Sequence, residues 1–136
     1  PSNPYSGVIS LFVSQAINQE EISIFGGQQT RDFIHVVNLC EIIEIGIKEI
    51  MNNGQSSAEI LNLGSGNSIC ITDLAHKIKL LVKSDSPLKI LPAIVGDPVR
   101  SDGDYSKLIK RLKTTNYDFI SLDKGLLEVI NWIGGE

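Results

Sequence analysis

The stretch Thr30-Arg31-Asp32-Phe33-Ile34-His35-Val36 sets a guanidinium and a carboxylate at the mouth of a short apolar run that follows a glycine pair. The run alternates poorly, so it reads as a buried strand with a charged end. Arg31 offers a planar fork of donors that matches phosphate oxygens two at a time, and Asp32 beside it is placed to hold that fork in one orientation. The same pair would also serve simply to close a strand end, and these residues by themselves leave both readings open. A second charged cluster, Gly96-Asp97-Pro98-Val99-Arg100-Ser101-Asp102, falls in a loop downstream.

Other residues with chemical potential lean toward structure. Gly64-Ser65-Gly66-Asn67 follows a strand candidate, but position 69 is Ile where a dinucleotide loop needs its third glycine, so the pair reads as a tight turn. His35 sits inside the strand motif as a packing histidine, and His76 falls among polar neighbours on a helix. Cys40 and Cys70 lie far from other ligand types, which predicts no metal site and suits a reduced, cytoplasmic protein.

These residues need elements to position them. Val8, Ile9, Leu11, Phe12, Val13, Ala16 and Ile17 recur at helical spacing, which predicts a helix from Gly7 to about Gln19. Ile22–Phe25 reads as a short strand that Gly26-Gly27 turns back to face the Arg31–Val36 run. Asn38 has capping-box spacing to Glu41 and starts a helix that runs to about Met51. Glu59–Leu63 and Leu88–Leu91 read as strands. Thr72, Asp104 and Ser121 each read as the cap of a helix. On the last helix Leu122, Leu126, Ile130 and Ile133 are expected inside, with Trp132 partly buried. The total is about five helices and four short strands, an α/β chain that would be α+β in isolation.

With 136 residues, 42% of them hydrophobic and 21% charged, the chain is long enough for one domain with a real core. A formal charge of −4, no basic stripe and few aromatics argue against nucleic acid as a partner. No apolar run reaches the ~18–20 residues of a membrane span. The start at Pro1-Ser2-Asn3-Pro4, a turn-like segment without Met, reads as an internal point of something larger.

Taken together and in order, Pro4-Tyr5-Ser6-Gly7-Val8-Ile9-Ser10, Ile24-Phe25-Gly26, Gln29 through Val36, Asn62-Leu63-Gly64-Ser65-Gly66, Gly96 through Ser101 and Asp104-Tyr105-Ser106-Lys107 closely resemble the C-terminal part of nucleotide-sugar epimerases and dehydratases. These are extended short-chain dehydrogenases/reductases of the UDP-glucose 4-epimerase type. The resemblance implies that residues 1–136 form the nucleotide-sugar-binding region of a Rossmann-type enzyme whose N-terminal NAD-binding domain lies outside this chain. It also implies NAD as cofactor of the intact protein and a UDP-sugar or other nucleoside-diphosphate sugar as ligand. For this chain alone it implies no cofactor.

Position by position, the resemblance assigns Arg31 to the diphosphate, Ser23 and Phe25 to the base, and Asp97 to the ribose and diphosphate. The family's second phosphate-binding arginine is replaced by Ile94, a loss worth about 1.5–3 kcal/mol, for which Arg100 is the candidate replacement. Asn38 stands where Asp is common. The family's catalytic Tyr with Lys four residues later is missing, since Tyr5, Tyr105 and Tyr117 are followed at that spacing by Ile9, Ile109 and Ser121. No catalytic residue is therefore expected, and the isolated chain should be inert. The alternative is a non-catalytic nucleotide-binding fragment, or one that self-associates into a homo-oligomer through unpaired strand edges.

Overall fold

A computed structural model describes residues 7–53, 60–112 and 117–135. It is a mixed α/β structure with the elements α1 (Val8–Ile17), β1 (Ile22–Phe25), β2 (Thr30–Asp32), α2 (Val36–Asn53), β3 (Ser68–Cys70), α3 (Ile71–Val82), β4 (Leu88–Leu91), β5 (Arg100–Ser101), α4 (Ser106–Leu112) and α5 (Leu122–Gly134). The described residues gather into two compact units. One lies within Pro1–Arg31, Ile69–Ser101 and Asp123–Glu136, the other within Asp32–Ser68 and Asp102–Leu122.

The first unit is built on β1 and β4, which pair in parallel with Ile22 opposite Leu88 and Phe25 opposite Leu91. Parallel strands need a long crossover, and α1 and α3 cover the pair. Strand periodicity sends Ile22 and Ile24 into the core with Phe12, Val13 and Ala16 of α1 and Leu74, Ala75 and Ile78 of α3. Burying each of the large aliphatic side chains contributes about 1.5–3 kcal/mol. Leu126 adds the buried contact of α5, and Lys77 on α3 reaches Asp123 at 2.7 Å.

The expected hairpin is not formed. β1 belongs to the pair with β4, whereas β2 lies between β3 and β5, with Thr30 opposite Arg100 and Arg31 opposite Ser101. Gly26 and Gly27 both have positive φ, and they carry the chain from one sheet to the other rather than back along β1. The carbonyl of Gly27 accepts from the Thr72 N–H at 3.1 Å, the Thr72 hydroxyl at 3.0 Å and Cys70 Sγ at 2.9 Å. Ile71 N–H donates to the Gln29 carbonyl at 3.0 Å. The first turn of α3 is thus satisfied by backbone from the glycine turn. Cys70 is its N-cap residue, and Thr72 lies inside the helix.

The second unit is organised around α2. The strand at Arg31 ends at Asp32, and Phe33–His35 lead straight into this helix instead of extending the strand through Val36. His35 starts α2: its carbonyl accepts from Leu39 N–H at 3.0 Å and its Nδ1 from Val37 N–H at 3.2 Å. Asn38 is therefore not a cap. It is 2% exposed and binds across the unit, its amide donating to Tyr117 at 3.2 Å and its carbonyl oxygen accepting from Ile120 N–H at 2.8 Å. Ile42 and Leu108 are the buried aliphatics here, and Arg111 pairs with Glu49 at 2.8 Å.

Residues 60–63 carry no strand, and Glu59 lies outside the described residues. Tyr105 holds the N-cap position of α4, its carbonyl accepting from Ile109 N–H at 3.0 Å, and Asp104 just before it accepts from the Ser106 N–H at 2.9 Å. Trp132 is 78% exposed rather than partly buried, and on α5 only Leu126 is fully inside, with Leu122, Ile130 and Ile133 half-buried.

Candidate functional site

The alternation that buries Ile22 and Ile24 turns Ser23 and Phe25 the other way, toward a cavity of about 270 Å³ in the first unit. Its walls include Val8, Leu11 and Phe12 from α1 and Ile71 from α3. Gln29, Arg31, Ile94 and Asp97 complete it. The lining is mostly apolar with a few convergent polar groups, the usual build of a small-molecule site.

Arg31 is the cation of this cavity, and its guanidinium is held by three groups. Nη1 donates to the Thr30 carbonyl at 2.8 Å and the Pro98 carbonyl at 2.9 Å, and Nη2 forms an ion pair with Asp97 Oδ1. The carboxylate that orients Arg31 is therefore Asp97, 66 positions away in sequence, and not the adjacent Asp32. Asp97 is braced in turn by Gln29, whose Nε2 donates to Asp97 Oδ2 at 3.1 Å and to the Phe25 carbonyl at 2.7 Å. Gly96 at φ +88° turns the chain ahead of Asp97. Ile94 lines the cavity as an apolar wall residue. Arg100 sits on β5 opposite Thr30 and is not among the lining residues.

Asp32 has a separate task in the second unit. Its Oδ1 accepts from the Ser65 hydroxyl and from Ser65 N–H at 3.1 Å, and its Oδ2 accepts from Gly66 N–H at 2.9 Å. Burial pushes its carboxyl up. Hydrogen bonds from the Ser65 and Tyr105 hydroxyls and from the Gly66 and Ser65 amides outweigh that and leave it below the usual carboxylate range. The Gly64-Ser65-Gly66 turn thus directs its amides onto an internal carboxylate, so it does not fit the pyrophosphate of a dinucleotide. Among the described residues no group of His, Cys, Asp and Glu has metal-site geometry.

Tyr105 and Tyr117 each hydrogen-bond a carboxylate. Burial, followed by hydrogen bonding to a carboxylate, pushes each hydroxyl up, through Asp32 for Tyr105 and Glu41 for Tyr117. Tyr5 lies outside the described residues.

The structure brings Ser23, Phe25, Arg31 and Asp97 to one cavity. Gln29 and Val8 fall within the family-like motifs without a role of their own, and Leu11 and Phe12 were not singled out as site residues. The available signal for Gln29 was a polar side chain placed between a glycine turn and the arginine.

Comparisons with known proteins point one way. Residues 1–64 match the model of the NAD dependent epimerase/dehydratase family. UDP-glucuronic acid decarboxylase 1 of Danio rerio is 33% identical over 130 residues, covering 95% of this chain and 29% of that protein. The structure of UDP-N-acetylglucosamine 4-epimerase from Methanobrevibacter ruminantium, in complex with UDP-N-acetylmuramic acid, superposes with a TM-score of 0.78 at 29% identity, covering 98% of this chain and 41% of that one. UDP-glucose 4-epimerase of Thermotoga maritima, with UDP-glucose, shares the fold with a TM-score of 0.82 at 24% identity, over 98% of this chain and 41% of that one. The chain therefore spans well under half the length of these relatives. Motifs, family match, relatives and fold agree: the chain belongs to the NAD-dependent epimerase/dehydratase family.

Proposed function

We propose that this chain is the nucleotide-sugar-binding region of an NAD-dependent enzyme that epimerises or decarboxylates a UDP-sugar, with the NAD-binding domain supplied by sequence outside these residues. The carrying observation is the cavity that sets the Arg31–Asp97 pair beside Ser23 and Phe25. Arg31 would hold the diphosphate by charge-assisted hydrogen bonds, Asp97 would orient Arg31 for it, and β1 would lie against the base. Binding energy gained on the nucleotide would orient the sugar, remote from the nucleotide contacts, for chemistry performed elsewhere. NAD, when bound by the whole protein, would supply hydride transfer, and the residues described here would only bind and orient the sugar nucleotide.

An apolar stripe on α2 supports a covering domain. Val36, Ile43, Ile47, Ile50 and Met51 are all exposed on one face of this helix.

Calorimetric titration with UDP, UDP-glucose and UDP-glucuronate tests the reading. Arg31→Ala should weaken UDP binding about 10–100-fold, the worth of a charge-assisted contact. Purified chain should show no epimerisation or decarboxylation. Folded chain that binds none of these ligands, or binds them equally well as Arg31→Ala, overturns the assignment of Arg31.

A further inference from the structure

The geometry points to Gln29 as a positioning residue that keeps Arg31 available to an anion by withholding one oxygen of Asp97 from it. This deepens the proposed function and rests on its placing of an anionic ligand at Arg31. An Arg and a carboxylate left to themselves close fork to fork, two parallel hydrogen bonds that use both oxygens and one whole edge of the guanidinium. Here that closure is not made. Asp97 gives only Oδ1 to Arg31, and Oδ2 is held at 3.1 Å by the Gln29 amide.

Gln29 is itself fixed from two sides. Its amide nitrogen is anchored on the Phe25 carbonyl at 2.7 Å, and its own carbonyl accepts from Ile71 N–H at 3.0 Å, tying its backbone to the start of α3. The turn before it leaves the amide its space: a Cβ on Gly26 would stand 3.1 Å from Gln29 Oε1. Three residues that line the cavity, Gln29, Asp97 and Arg31, thus form a relay in which the neutral amide competes with the guanidinium for the carboxylate. The consequence is an arginine whose Nη1 is fixed by the Thr30 and Pro98 carbonyls while its Nη2 meets the carboxylate through one oxygen instead of two. On the Nη2 side an incoming phosphate group then competes with one carboxylate contact rather than a closed pair.

Truncating Gln29 frees Oδ2 to close on Arg31, so anion affinity should fall although Gln29 need not touch the anion. The test is titration of the full chain with inorganic pyrophosphate, uridine and UDP-glucose, for wild type, Gln29→Ala, Asp97→Ala and the double variant. Gln29→Ala should lower pyrophosphate and UDP-glucose affinity about tenfold, the worth of one charge-assisted bond. Uridine, which carries no anion, should bind the variant as it binds wild type. In the Asp97→Ala background the Gln29 substitution should have no effect, since the carboxylate it restrains is gone. Equal pyrophosphate affinity for wild type and Gln29→Ala, an effect that persists without Asp97, a parallel loss of uridine binding, or no pyrophosphate binding by folded wild type each overturns the inference. The sugar-nucleotide reading fails separately: pyrophosphate then shows the Gln29 effect while UDP-glucose binds no more tightly than pyrophosphate.

Discussion

Asp32 shows how one side chain ties local sequence to stability. Its carboxylate takes hydrogen bonds from Ser65, Gly66 and Tyr105, and the folded carboxyl lies below its ordinary value. The unfolded chain therefore binds the proton more tightly, so folding stability rises with pH across this titration. The contribution is complete above the ordinary carboxylate range near pH ~4 and is lost as pH falls through the folded value. Asp32→Asn should cost about 1–2 kcal/mol at pH 7, allowing for the partial exposure of the group. It should also flatten the acid limb of a urea-midpoint against pH curve. An unchanged acid limb would assign the acid sensitivity to other carboxylates. Gly64 belongs to the same knot, because a Cβ there would stand 2.2 Å from the Tyr105 ring. Gly64→Ala should cost about 1–3 kcal/mol through overpacking, and Gly64→Ala in a Tyr105→Ala background much less, as a double-mutant cycle by urea unfolding would show.

At the scale of elements, the decisive joint is the glycine turn between β1 and β2. Gly27 has φ +87°, and a Cβ on it would come within 2.5 Å of Thr72 Oγ1 on α3. Gly27→Ala combines backbone strain with a clash against a helix that the same turn caps, so a loss of about 2–4 kcal/mol is expected in denaturant unfolding. Little or no loss would mean that the turn relaxes without disturbing α3. Trp132 offers a contrast on α5: it is exposed, so its fluorescence should be quenched by acrylamide as in a free indole, and Trp132→Ala should change stability by less than about 0.5 kcal/mol. A blue-shifted, protected emission would place it in an interface.

For the whole molecule, the question is what covers α2. Val36, Ile43, Ile47, Ile50 and Met51 repeat at three- and four-residue spacing on a helix whose other face buries Asn38 and Ile42. Left open, such a stripe promotes association. The isolated chain should sediment as a concentration-dependent mixture, and Ile43→Lys with Ile47→Lys should shift it to monomer with little change in unfolding midpoint. A monomer at all concentrations would argue against this face as a sticky surface. Among the described residues no helix is long and apolar enough to cross a membrane.

The sequence by itself determined the elements that depend on neighbours along the chain. Ile22–Phe25 and Leu88–Leu91 are strands within their expected bounds, and the helical spacing on α1 included Phe12, Val13 and Ala16, which are buried, because periodicity 2 and 3.6 are local properties. It also carried the ordered motifs that mark the family, with Arg31, Phe25 and Asp97 among them. Only the tertiary structure decided which partners these residues meet. β1 pairs with β4 across the chain instead of with the adjacent β2, Asp97 rather than Asp32 orients Arg31, and Asn38 bridges to Tyr117 and Ile120 rather than capping its helix. Each of these outcomes joins residues more than sixty positions apart, where the competing local choice looks equally good along the chain. What separates them is the burial of Ile22, Ile24 and Asn38, and burial is settled only when distant segments pack together.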